Sequence, residues 1–369
     1  MRIHPDKSTA GRTRHVLWAL TAGALCGAAA HPEQACAEDK PGTEARTYWR
    51  EGTLTGNVKR PGLQSDVSLN GLWRGGTLTS SGGSTNEDVT FKHKESVTDF
   101  DGRVGFVSGS GFGGGLFLQL AKTAGTDNAD VDTKATSKTD SDSISNSEAT
   151  RSVTPHVSFG QAASGTSSGF GASLGYNLRN TQSSRTVTVA GADAPSDDAT
   201  AKSGGLVLAG KFQTAEWGVT LSLAPGAKGT IEAGSADSVS RTDSRYTLEA
   251  ECSRGYRLGF DMRTVKDDYP TEALTGSDWA LRFDTTVKPP SDLLLIPQVF
   301  YRSEKRSRGD STASKGTLGF GTRVTKPGPQ TYFTGIAFEY QTGKEDRGAD
   351  RPSSQLKAFG FGLSLGMNI

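Results

Sequence analysis

The chain has 369 residues, 34% of them hydrophobic, with 47 glycines and a formal net charge of +1. A near-neutral balance leaves no basic footprint for nucleic acid, so no such partner is expected. So low a hydrophobic content excludes a polytopic helical bundle. It fits either a disordered chain or a sheet that is apolar on one face and wet on the other, which needs apolar residues only at alternate positions.

Residues 1–37 read as a secretory signal peptide. Arg2, Lys7, Arg12 and Arg14 precede an apolar run from Val16 to Ala30, and Ala35-Cys36-Ala37 supplies a small-residue cleavage pattern. A cut after Ala30 satisfies the same rule. The alternative, an anchor helix, is disfavoured because the run is short of the roughly 20 residues a bilayer span needs. Cleavage after Ala37 removes Cys26 and Cys36 and leaves Cys252, so neither an intramolecular disulfide nor a cysteine metal site is expected. No later stretch is long and charge-free enough for a membrane helix.

Residues 38–64 form a polar N-terminal extension, placed either in the lumen of a barrel built from the rest of the chain or outside it, with Thr47–Val58 as a possible extra strand. From residue 65 to 369, short segments alternate apolar and polar residues. In Trp279–Val287 the odd positions carry Trp, Leu, Phe, Thr and Val against Ala, Arg, Asp and Thr. Tyr256–Arg263, Thr331–Thr342 and Phe170–Tyr176 behave alike, which is the mark of half-buried strands. Short links near 109–113, 163–166, 214–216, 253–255, 288–291 and 326–330 interleave with longer ones near 79–88, 123–151, 179–203, 225–244, 266–276, 303–315 and 343–354. The alternation predicts about fourteen antiparallel strands, with twelve to sixteen open, joined by short turns at one end and long loops at the other. Thr123–Arg151, almost free of apolar residues, is expected to be a mobile loop.

The chain ends on Phe359, Phe361, Leu363, Leu365, Met367 and Ile369 separated by Gly, Ser and Asn. This resembles the closing strand of bacterial outer-membrane β-barrels, by which the assembly machinery recognises them. Ile369 departs from the aromatic residue usual at that position. The resemblance implies an all-β fold, a single closed antiparallel transmembrane barrel in the outer membrane of a Gram-negative cell. It also implies contact with outer-membrane lipid and a porin-like role in the passage of small solutes. The strand number is similar to that of the long-chain fatty-acid transporter family, but the N-terminal hatch and Asn-Pro-Ala signature of that family are absent, so its substrate is not carried over.

With the apolar face toward lipid, Glu249, Glu251, Arg257, Asp261, Arg263, Arg282 and Asp284 all face inward, as candidate pore-lining groups. The blander reading is that they pair into a structural plug. Inward glycines at 171, 175, 319, 321, 335, 360 and 362 are expected to leave space.

Barrel hydrolases use a histidine base, and beyond the leader only His93 and His156 remain, the latter sharing a face with Ser158. An ordinary lumen histidine explains that pair equally well. Asp99, Asp101, Asp267 and Asp268 as protease carboxylates, and Arg308-Gly309-Asp310 as an adhesion tripeptide, are further readings that chance explains. Asp127, Asp130 and Asp132 lack the Gly and terminal Glu of a calcium loop. No catalytic residue, metal or cofactor is therefore expected.

Overall fold

The computed structural model describes residues 62–81, 89–108, 110–129, 143–161, 168–189, 192–193, 197–233, 239–269, 273–289, 293–326, 331–346 and 353–368. The export segment, the possible strand at 47–58 and the final Ile369 lie outside them. Fourteen long strands run in chain order. They are β1 (Gly62–Ser81), β2 (Val89–Val107), β3 (Phe112–Ala129), β4 (Ser143–Gln161), β5 (Gly169–Val189), β6 (Asp197–Gln213) and β7 (Trp217–Ala233). Next come β8 (Val239–Cys252), β9 (Tyr256–Asp268), β10 (Ala273–Thr285), β11 (Leu294–Arg308), β12 (Ser311–Lys326), β13 (Thr331–Asp346) and β14 (Ser353–Asn368). A two-residue piece, Ala192–Asp193, extends the edge of β5.

Each strand pairs antiparallel with its sequence neighbours, and β1 pairs with β14, so the sheet closes on itself as a 14-stranded barrel. Closure leaves no strand edge with unpaired backbone groups, the condition a sheet must meet to sit in hydrocarbon. The register fixes the geometry. One row of partners starts at Gly76 and passes Ala358, Gln341, Thr317, Arg302, Ala280, Asp261 and Thr247. It continues through Ser222, Ala209, Ser173, Ser158, Gly113 and Val107 and re-enters β1 at Gly62, fourteen residues from its start. A shear equal to the strand number tilts the strands by roughly 35–45° and, at about 4.8 Å between strands, sets opposite walls about 25 Å apart.

Side chains alternate strictly. On β5, Phe170, Leu174, Tyr176 and Leu178 are exposed on the outer surface, whereas Gly171, Ser173 and Gly175 are buried on the inner one. Repeated round the barrel, the outward residues form a continuous apolar band. Aromatic residues mark both of its edges, with Trp73, Tyr176, Tyr246, Trp279, Tyr301 and Tyr340 on one side and Phe106, Phe112, Phe159, Phe170, Trp217 and Tyr332 on the other. Rings touch across strands, as in Trp279–Tyr301 (centroids 5.3 Å apart) and Phe159–Phe170 (5.8 Å). Exposed large apolar side chains are costly in water; gathered in a closed band they are the surface a bilayer covers.

The strands are longer than the apolar band. A membrane strand needs about 9–11 residues, yet β1 has 20 and β5 has 21. The surplus lies at the end where the longer links were expected, so those links are largely strand. β3 runs on to Ala129 and β4 starts at Ser143, which corrects the mobile loop expected over Thr123–Arg151 for all but residues 130–142. Arg308-Gly309-Asp310 is no loop either. Arg308 pairs directly with Ser311, and Gly309 turns the chain at φ 53°, a left-handed value that favours glycine.

Pro225, expected to end a strand, sits inside β7. Proline has no N–H to give the ladder, and the pairing slips there on both sides, between Gly204 and Leu208 and between Ala224 and Ala227. Gly226 absorbs the bulge at φ 62°, its N–H donating to Ser244 Oγ at 2.9 Å.

Candidate functional site: the charged lumen

The seven residues singled out from the sequence fall on the inner faces of three consecutive strands. Arg257 pairs with Glu251 on one side and Asp284 on the other, Gly259 lies between Glu249 and Arg282, and Asp261 lies between Thr247 and Ala280. Their side chains meet. Arg282, only 1% exposed, donates to Glu249 and stands 3.2 Å from Asp284 through Nε. Arg257 lies 3.9 Å from both Glu251 and Asp284, and Lys211 reaches Glu251 at 3.2 Å. Arg263 grips Asp243, with Nη2 at 2.8 Å and Nε at 3.1 Å.

The network extends beyond those seven. Asp243, buried, also has Arg245 at 3.6 Å and Arg179 at 3.9 Å, so three guanidinium groups share one carboxylate. Arg241 makes a two-point bond to Asp267 at 2.7 and 2.8 Å, Arg306 bonds Asp278, and Arg302 stands 3.1 Å from Glu304. At the seam where the sheet closes, Arg74 of β1 donates to Glu95 of β2 at 2.5 Å and to Glu339 of β13 at 2.9 and 3.0 Å, passing over Gly360 of β14. Apart from Arg245–Asp243 and Arg302–Glu304, two residues apart on one strand, these partners were hidden in the sequence because they are one to three strands apart, and only the register brings them together.

For two of the inward glycines expected to leave room, Gly319 and Gly360, the register overturns that expectation, and Gly259, Gly276 and Gly366 are covered alike. Gly259 is paired with Arg282, and a Cβ there would stand 3.0 Å from its Nη2. Gly276 likewise faces Arg306, Gly319 faces Phe300, Gly360 faces Arg74 and Gly366 faces Phe333. Each glycine is the seat over which the neighbouring strand's long side chain lies flat along the wall. Phe333 is in turn covered by Arg323, its guanidinium carbon 4.5 Å from the ring centroid.

The wall from β3 to β7 is different. Its inner face carries Gln119, Thr150, Ser152, Thr154, Ser173, Thr181 and Ser222, all buried. Neutral bonds join them, among them Thr150–Thr181 at 3.0 Å and Asn177 Nδ2 to Thr154 Oγ1 at 2.7 Å. Where the two walls meet, Gln119, Ser152, Asn177, Arg179, Asp243 and Arg245 line a cavity of about 30 Å³.

His156 and Ser158 both point inward from β4, two residues apart, and His156 Nδ1 is 3.5 Å from the Thr154 carbonyl. On an extended strand that spacing sets their Cα atoms about 6.6 Å apart, and the contact of the imidazole is with the Thr154 carbonyl. Asp267 faces inward toward Arg241 while Asp268 faces outward beside Lys266 at 2.6 Å, so they cannot share a substrate. Among the described residues no group of three metal-binding side chains converges.

The closed ladder, its apolar outer band and its polar interior define the chain as a transmembrane β-barrel of the outer-membrane type. No protein-family profile and no curated sequence matches it. Solved structures to which it is similar include a TodX monoaromatic hydrocarbon channel variant, at 10% identity and a TM-score of 0.48, covering 84% of this chain and 90% of that one. Others are a Pseudomonas aeruginosa FadL homologue (11%, TM-score 0.45, covering 83% and 90%) and the β domain of the Bordetella autotransporter BrkA (9%, TM-score 0.37, covering 82% and 98%).

Proposed function

We propose that the protein is an outer-membrane channel through which small polar solutes diffuse passively. The observation that carries this reading is the interior: a wall of hydroxyls and amides runs on into a wall of ion pairs around a barrel about 25 Å wide at the backbone. Long side chains such as Arg282 and Phe300 lie over glycines of the neighbouring strand, Gly259 and Gly319. A lumen with fixed charge pairs on one side orders water and sets a transverse field, which sorts solutes by size and charge. Glu249, Glu251, Arg257, Asp261, Arg263, Arg282 and Asp284 are the groups that line this path. TodX is named as a hydrocarbon channel; the buried charges favour hydrophilic cargo here.

Planar-bilayer recording of the refolded full chain tests the reading. Stepwise ohmic conductance is expected, together with swelling of proteoliposomes in small sugars. Membranes that stay as tight as bare lipid overturn it.

Placement in the outer membrane draws on the same band and on the last strand. Phe359, Phe361, Leu363 and Leu365 are exposed on the lipid face of β14 and Met367 is half-buried. With Ile369 they form the segment an assembly machinery would read. Truncation before Phe359 is expected to abolish the heat-modifiable folded form in cell envelopes.

A further inference from the structure

Outward charges are rare within the apolar band and return just beyond its edge, at the end where the strands overshoot. On the β4–β7 face they converge. Arg151 pairs with Asn180, Asn180 with Lys202, and Lys202 with Thr230, all facing out. Lys228, opposite Gly204, is the diagonal neighbour of Lys202. Adjacent strands lie about 4.8 Å apart, so Arg151 stands about 10 Å from Lys202, with Lys228 a diagonal step beyond, and the three long cationic side chains line one hollow.

The wall is dented at this place. The Pro225–Gly226 bulge interrupts the β6–β7 ladder, and the outward Gly204 contributes no side chain. An open hollow of about 570 Å³ results, lined by Arg151, Val153, Tyr176, Leu178, Lys202 and Lys228 among others. Its lower wall is apolar: Val153 is 36% exposed, Leu178 54% and the neighbouring Leu206 55%. Tyr176 reaches up over Gly204, its hydroxyl 2.9 Å from where a Cβ would stand. The acid at hand is Glu232, 3.9 Å from Lys202, with both side chains about 60% exposed.

We propose that this hollow is a binding site for a phosphorylated lipid of the outer leaflet. Acyl chains lie against Val153, Leu178 and Leu206, and the headgroup phosphate is held by Arg151, Lys202 and Lys228. Arginine supplies a planar fork for phosphate oxygens and the lysines supply point charges. Continuity with the apolar band selects a lipid over a soluble anion, because phosphate and chains are met in the order a leaflet presents them. The inference rests on the outer-membrane placement and is independent of conductance.

The test uses the full chain refolded in a neutral detergent, with bisphosphorylated lipid A as probe and native mass spectrometry to count bound lipid. Arg151→Gln, Lys202→Gln and Lys228→Gln combined are expected to weaken retention at least tenfold. Heat-modifiable mobility and conductance stay unchanged, because none of the three faces the lumen. A matched triple on the far wall, Lys305→Gln, Lys344→Gln and Lys357→Gln, removes the same charge from outward positions away from the hollow and is expected to bind as the parent does. Dephosphorylated lipid A should bind at least tenfold more weakly than the probe, and millimolar inorganic phosphate should not displace the probe. Equal loss in both triples, undiminished binding in the first, or displacement by free phosphate each overturn the proposal.

Discussion

The inner surface is built in two ways. From β3 to β7 it is held chiefly by hydroxyls and amides such as Thr150–Thr181, with Arg179 and Lys211 reaching over to Asp243 and Glu251, whereas from β8 to β11 it is held by ion pairs centred on Asp243, Asp267, Asp278 and Arg282. Both walls pair buried polar side chains with one another, but they differ in what the loss of one partner does. A neutral bond can be replaced by a similar shape at small cost, whereas a buried charge that loses its partner is stranded. The neutral wall is a lining, and the charged wall is a lining with a field.

Substitutions can break that comparison, the largest effect coming first. Asp243→Ala leaves Arg179, Arg245 and Arg263 facing one another, and is expected to cost about 3–5 kcal/mol in urea unfolding from vesicles. It should also move the reversal potential toward anions. A loss as small as that of a hydroxyl deletion would erase the distinction between the walls. Gly259→Leu fills the place where Arg282 crosses to Glu249, and about 1–3 kcal/mol is expected in the same assay from forced repacking. Thr150→Val on the neutral wall removes one bond, for about 1 kcal/mol, with no change in ion selectivity. Gly309→Ala strains a left-handed turn outside both walls, for about 0.5–1 kcal/mol, and leaves selectivity untouched.

The same physics governs how much of the barrel is legible in the chain. Where one face meets lipid and the other water, as in Trp279–Val287, a period of two is written into the residues, so the band and the inward direction of Arg282 and Asp284 could be anticipated. Beyond the band both faces are wet. The period vanishes, and hydrogen-bonded strand such as Thr123–Ala129 or Ser143–Arg151 looks like loop. Pro225 carried the opposite ambiguity, a turn signal that the fold uses as a bulge. The pairing of Arg282 with Gly259, or of Arg74 with Gly360, depends on stagger, a property of the whole ladder that no local window contains. The aromatic edges were present in the sequence as Tyr and Trp at the ends of alternating segments, and became a pattern only once the strands were side by side.

The closing strand brings one more consequence. Between Ala358 and Gly366 the inward positions of β14 are Ala358, Gly360, Gly362, Ser364 and Gly366, while Arg74, Leu72 and Phe333 reach across from its neighbours. Over this stretch the last strand of the chain thus carries no bulky inward side chain. The arms on either side lie across it like clasps, and because Arg74 and Glu339 belong to the strands that flank it, their bond exists only in the closed circle.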